Sequence, residues 1–287
     1  MFQDEETRKF MLYAFGTGIL MVVMACVVLT CLVPGNERNC RVPFVVENED
    51  ETDFIYTDPP EYKLKEDTDY KAILHTNKGD IKIDLFEEAA PTTVNNFVFL
   101  SLEGYYNEVK WHRVFRDLLI QTGSRKSLDD DPENDGYGSP GYTIPDEINW
   151  DALDIPEKKR KELREAEYES TPGLASKPMR KYSVAMANEH RGNTNGSQFF
   201  IVTAEDTDTR LEALEGKHTV FGEVIDGFEA VKEINEVKVD DSDPDAPYPK
   251  RDVYIDTVDI IEIREEGVYE NGTKTDNAEK DQTIRLD

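Results

Sequence analysis

The sequence predicts a mainly β fold: a closed antiparallel barrel capped by two helices, carried behind a transmembrane helix. Three observations point there. Short runs with a two-residue apolar alternation recur between Tyr70 and Ile263, the pattern of strands with one buried face. Two separated segments in that stretch carry the 3.6-residue period of capping helices. Ahead of them, Phe10 to Val33 is a run of 24 residues without a charge.

The N-terminal tail, residues 1–9, leads into that run. As a helix rising about 1.5 Å per residue, residues 10–33 are long enough to cross about 30 Å of hydrocarbon. The alternatives are a cleaved signal peptide and a lipoprotein signal ending at Ala25-Cys26. The run exceeds the usual apolar core of a cleaved signal, and seven more uncharged residues follow Cys26, so an uncleaved single-pass anchor is the expectation. Arg8 and Lys9 precede it and Arg38 and Arg41 follow, which leans slightly toward a domain on the extracytoplasmic side.

Residues 34–68 read as an acidic linker with no sustained period. From Tyr70 the pattern changes. YKAILHT alternates, Asn77-Lys78-Gly79 turns, and DIKIDLF alternates again, with Ile81, Ile83 and Leu85 on one face; this is a hairpin. Pro91 opens a helix with Val94, Phe97, Val98 and Leu102 at helical spacing and Gly104 beyond its end. VFGEVI (220–225) and VYIDTVDIIEI (253–263) read as strands, and a second helix is expected over Phe228 to Val237. The domain therefore spans residues 69–264. Within it, 124–181 is an extended polar insertion whose PEKKRKELREAEYES suits an exposed helix, with only Leu163, Ala166 and Tyr168 able to pack. Residues 265–287 are polar and expected to be disordered.

Composition narrows the function. With 33 Lys+Arg against 61 Asp+Glu, the formal net charge is -28, which repels phosphate backbones and argues against a nucleic-acid partner. The 3 cysteines fall in the first 40 residues without CxxC spacing, so neither a zinc site nor a disulfide framework is expected. DDDPENDG (129–136) and DDSDPDAP (240–247) echo calcium-loop spacing, but the twelfth positions are Tyr142 and Asp252 where a bidentate Glu is required. No metal and no cofactor is expected.

Three motifs carry chemistry in register: WHRVFRDLLIQTG (111–123), MANEHRGNTNGSQFFIVTA (186–204) and LEGKHTVFGEVIDG (214–227). Together with the hairpin and the PTTVNNF helix they resemble the cyclophilin family of peptidyl-prolyl isomerases, over about Tyr70 to Ile263. The resemblance implies an eight-stranded barrel and a groove for proline-containing polypeptides. Arg113 would contact the proline carbonyl and favour a twisted amide, Gln121 would orient Arg113, Asn188 would bind peptide backbone, and His218 would close the pocket edge by shape and hydrogen bonding. Gln198 would line the neighbouring wall, and Leu118, Leu119, Phe200, Ala213 and Leu214 would receive the substrate. Neighbouring strand residues face opposite sides, so Phe199 would point into the barrel while Phe200 faces the proline. Read alone, Arg113 is also a surface strand arginine, and Leu119 and Phe200 are also ordinary core; His112 reads as structural.

The chain departs from the family pattern at Leu118, where many members carry Phe, and at Ala213, where Trp is frequent. One residue is added after MAN, and QTGS replaces QGGD. The first two changes remove aromatic surface from the pocket rim. They leave open a second function, a barrel that captures proline peptides without useful catalysis.

Overall fold

A computed structural model describes residues 54–129, 131–265 and 267–275. The anchor expected at 10–33, the tail before it and most of the linker lie outside the described residues; among those described, no helix is long and apolar enough to cross a membrane. Twelve strands follow in chain order: β1 (Asp69–Thr76), β2 (Gly79–Leu85), β3 (Arg113–Phe115), β4 (Leu119–Thr122), β5 (Ser183–Met186), β6 (Phe199–Val202), β7 (Val220–Asp226), β8 (Val239–Asp240), β9 (Tyr248–Pro249), β10 (Ile255–Arg264), β11 (Gly267–Glu270) and β12 (Thr273–Lys274). Ten of them form one antiparallel sheet in the order β12-β11-β10-β1-β2-β7-β5-β6-β4-β3.

The expected closed eight-stranded ring is not what this sheet makes. It has ten strands, and β3 and β12 end the order. Where a ring would close, the main chain ahead of β3 meets that ahead of β10 through a single bridge, Lys110 with Tyr254, flanked by Trp111 N donating to Val253 O at 2.7 Å. β3 itself is met by the β8–β9 hairpin, where Val114 N donates to Pro247 O at 2.8 Å. Prolines at 247 and 249 carry no N–H, so that segment cannot extend a ladder.

The expected hairpin is β1–β2, and its alternation puts Ala72, Leu74, Ile81, Ile83 and Leu85 in the core. Helix α1 (Pro91–Leu102) buries Val94, Phe97 and Leu100, while Leu102 remains half exposed. Its first-turn amides need acceptors, and these come from far along the chain. Both Glu147 carboxylate oxygens accept, from Thr92 N at 2.9 Å and from Thr93 N at 2.8 Å. Phe97 then meets Phe199 and Phe221 with ring centroids 5.5 and 5.4 Å apart, the first pair in the edge-to-face geometry that aromatic quadrupoles favour and the second tilted.

Three further expectations need correction. Helix α2 (Glu157–Glu165) is exposed along most of its length, yet the insertion is not loose. Leu163 buries with Ile148, Trp150, Ile155 and Tyr168 in a satellite core, and Trp150 Nε1 donates to Gly216 O at 3.2 Å. Five apolar residues scattered over twenty-one positions leave no helical stripe to read, although tertiary folding gathers them. Second, the C-terminal segment through Thr275 is not structureless: β11 pairs with β10, β12 pairs with β11, and Val268 is fully buried. The turn there is Asn271-Gly272, both at positive φ, the hairpin signal that sequence reading overlooked. Third, the last part of the linker lies on the domain: Tyr56 N donates to Pro140 O at 2.8 Å, and Lys63 N donates to Asn95 Oδ1 at 2.8 Å. The one-turn helix α3 (Leu211–Leu214) and helix α4 (Phe228–Asn235) complete the fold, the latter burying Val231 and Ile234 as its spacing predicts.

At the β1–β2 edge His75 lies between two carboxylates, Nδ1 at 2.8 Å from Asp80 and Nε2 at 3.0 Å from Asp259. Burial opposes charging of the ring, but the hydrogen bonds to Asp259 and Asp80 hold its pKa above 6.5. A group whose native pKa is raised gives stability that is full below its unfolded pKa and is lost as pH rises through the native one. Unfolding free energy from urea titrations is therefore expected to fall as pH rises above about 6.5, and His75→Gln is expected to remove that part of the slope. A slope unaltered by the substitution would refute the assignment.

Candidate active site

The strand register assembles the site. Arg113 stands opposite Gln121, Gln121 opposite Phe200, and Phe200 opposite Ala185. Residues paired across neighbouring strands share a face, so these four form a row. Phe199, one position away, takes the other face and enters the aromatic core, 5.6 Å from Tyr106 and 6.2 Å from Trp111 between ring centroids. The expected division between the two phenylalanines holds.

Polar side chains continue the row as a hydrogen-bonded relay. Arg113 Nη1 donates to Gln121 Oε1 at 3.4 Å, a long bond, and Gln121 Nε2 donates to Gln198 Oε1 at 2.9 Å. Gln198 Nε2 in turn donates to the carbonyls of Gly136 and Gly138, both at 2.9 Å. These side chains line a cleft of about 1080 Å³ that also takes in Ala187 and Asn188. Carboxylates rim it: Asp131, Glu133, Asp135, Glu189 and Asp243. Burial pushes Asp135 up to about 7.

Two features of the cleft escaped the sequence. Arg113 Nε donates to the main-chain carbonyl of Asp245 at 2.9 Å, and Nη2 bonds to the same oxygen, so the loop between β8 and β9 holds the guanidinium through an atom with no residue signature. The Asn188 side chain is also engaged: its Oδ1 accepts from Tyr168 OH and from His190 N, and its Nδ2 donates to Lys217 O.

Beside the cleft a second apolar cluster gathers Leu119, Ala185, Phe200, Val202, Leu211 and Val220, with Leu118 and Leu214 partly buried against it. Leu118, Leu119, Phe200 and Leu214 thus come together as expected. Ala213 does not: it is exposed. Leu211 turns into the cluster, and two residues along a helix rotate a side chain by about 200°, which carries Ala213 away. His218 sits edge-on to Phe200, centroids 5.2 Å apart, and its Nδ1 bonds to Met186 O at 2.9 Å. A carbonyl only accepts, so Nδ1 carries the proton. Desolvation first, opposed by that bond, lowers His218 to about 4; desolvation and the neighbouring Arg113 charge lower His112 to about 4. Both rings are neutral at physiological pH, and among the described residues no histidine bonds to a hydroxyl.

Comparison with known proteins agrees. The family model for cyclophilin-type peptidyl-prolyl cis-trans isomerases matches residues 71–260. The mouse peptidylprolyl isomerase domain and WD repeat-containing protein 1 is 37% identical over 192 residues, which cover 67% of this chain; the chain spans 23% of that relative's length. A Staphylococcus epidermidis protein named for the same isomerase activity is 31% identical over 223 residues, 69% of this chain and 94% of the relative. A solved Cryptosporidium parvum cyclophilin-type isomerase is 27% identical, with a TM-score of 0.49 over 66% of this chain and 96% of that one. The chain belongs to the cyclophilin-type peptidyl-prolyl cis-trans isomerases.

Because His112 and His218 are both held near 4, neither ring is expected to titrate in the turnover of an uncharged proline peptide above about pH 5. Asp135, in the cleft lining, is raised to about 7 by burial. An inflection near neutrality that survives Asp135→Asn and disappears in His112→Gln or His218→Gln would contradict this assignment.

Proposed function

We propose that the cleft and its adjoining apolar cluster accelerate rotation about X–Pro bonds in polypeptides, with Arg113 as the central residue. The observation that carries this reading is the cross-strand row, which sets a cation and an amide relay beside an apolar cluster on one face of the sheet. Rotation about a peptide bond faces a barrier of roughly 18–20 kcal/mol because amide resonance must be lost. Donors fixed in place lower it when they bind the twisted amide better than the planar one. In this reading the proline ring rests against Phe200, Leu119, Leu118 and Leu214, and Gln121 holds the Arg113 guanidinium toward the proline carbonyl. His218 closes the pocket edge as a neutral ring. In this reading an incoming peptide carbonyl exchanges with the Asp245 carbonyl that Arg113 now holds.

A second reading, a module that captures proline peptides without useful catalysis, draws on that same occupied guanidinium and on the smaller rim at Leu118 and Ala213. Arg113→Ala separates the two. For an isomerase it lowers kcat/KM by at least tenfold, about 1.4 kcal/mol of barrier, with an unchanged circular dichroism spectrum. A folded variant at the parent rate, or a parent chain at the uncatalysed rate, would favour the binding module.

We also propose that the domain is a membrane-tethered folding catalyst, anchored by residues 10–33 with the domain on the extracytoplasmic side. Support comes from the uncharged run of 24 residues and the slight charge lean around it. The chain is expected to stay in the membrane pellet after alkaline carbonate extraction and to be shaved by protease added to intact cells. Release by carbonate would refute the anchor; protection from protease would reverse the orientation.

A further inference from the structure

The insertion reaches the site through one side chain. Helix α2 ends at Glu165, Glu167 takes a φ of 62°, and Tyr168 N returns to Leu163 O at 3.0 Å. That turn drives the Tyr168 ring into the satellite core, leaving it 2% exposed. Its hydroxyl donates to Asn188 Oδ1 at 3.1 Å. With His190 N on the same oxygen at 3.1 Å and Lys217 O accepting from Nδ2 at 2.8 Å, the Asn188 amide is fixed at both ends. The neighbouring turn is seated as closely: a Cβ at Gly192 would lie 2.2 Å from Glu167 O, so no side chain fits between the insertion and the 188–194 loop. Asp146 fastens the same loop from the other end of the insertion, accepting from Asn193 N at 2.9 Å and from Asn195 Nδ2 at 2.7 Å. Meanwhile the main-chain N–H and C=O of Asn188 bond to no group among the described residues, and Asn188 lines the cleft. A main-chain donor–acceptor pair left without partners beside a cleft is what a peptide backbone can pair with.

We propose that Tyr168 is a positioning residue for the isomerase site. Its hydroxyl fixes the Asn188 amide, and that fixed amide holds the free main chain of Asn188 at the angle that pairs with the peptide. The insertion is then part of the peptide-binding apparatus, not a surface appendage. The proposal rests on the reading of the Arg113 cleft as the site of isomerisation.

Tyr168→Phe keeps the ring and removes only the donor. In the full chain held in detergent, exchange NMR on a proline tetrapeptide reads KM and kcat separately. KM is expected to rise about fivefold, the scale of one lost neutral hydrogen bond, with kcat unchanged because an interaction made equally in the ground and twisted states alters KM alone, and with the thermal midpoint lowered by no more than a few degrees. In an Asn188→Ala background the hydroxyl has lost its acceptor, so Tyr168→Phe is expected to add nothing. An unchanged KM, an equal and additive loss in the Asn188→Ala background, or an unfolded Tyr168→Phe variant would each overturn the assignment; the last would make Tyr168 a core residue only. Arg113→Ala keeps the two claims apart. A full rate in Arg113→Ala sinks the reading of the site itself, whereas a tenfold loss there with a silent Tyr168→Phe sinks the positioning role alone.

Discussion

Strand β6 has two adjacent phenylalanines, and the pleat sends them to opposite sides of the sheet. Phe199 is 1% exposed among Phe97, Tyr106, Trp111 and Phe221, while Phe200 is 2% exposed in the second cluster with Leu119 and Leu211. A slip of one residue in the β4–β6 register would exchange these faces and separate Gln121 from Phe200. The site therefore depends on the interior: aromatic packing around Phe199 fixes the strand, and the strand fixes the row from Arg113 to Ala185.

Two consecutive buried acids bind the insertion to this frame. Asp146 accepts from the 193–195 segment, and Glu147 accepts from the first turn of helix α1. A carboxylate at a helix N-terminus meets both the unpaired amides and the positive end of the dipole. Desolvation pushes Asp146 up, and the hydrogen bonds from Asn193 and Asn195 counter it. Asp146–Glu147 thus joins the helix that caps the core to the loop that carries Asn188, with the insertion as the bridge.

Much of this was legible in the sequence, for a physical reason in each instance. Alternation in β1 and β2 and the spacing of Val231 and Ile234 announced their buried faces, and the three motifs located Arg113, Gln121, Asn188, Gln198, Phe200 and His218. What stayed hidden was carried by atoms common to every residue or by contacts between distant segments. The Asp245 carbonyl on Arg113 is main chain, and the Glu147 cap joins residues 54 positions apart. Leu163, Trp150 and Tyr168 pack only after the insertion folds back on itself. Ala213 was placed by alignment with the family pattern, and one turn of helix decided its direction instead. The Asn271-Gly272 hairpin was legible and was overlooked among polar neighbours.

The pairing of β1 with β10, Asp69 opposite Ile263 and His75 opposite Thr257, has a consequence for how the chain comes to be folded. During synthesis β1 and β2 emerge early, but the strand that covers the far side of β1 is among the last to be made. Until then Ala72 and Leu74 have only one neighbouring strand, and helix α1 lacks the carboxylate at its start until Glu147 in the insertion has been made. Contacts of such long sequence separation form slowly, because loop entropy is lost before they reward it. A nascent chain of this protein therefore passes through a stage with an unpaired apolar edge, the species most open to aggregation and to capture by holding chaperones.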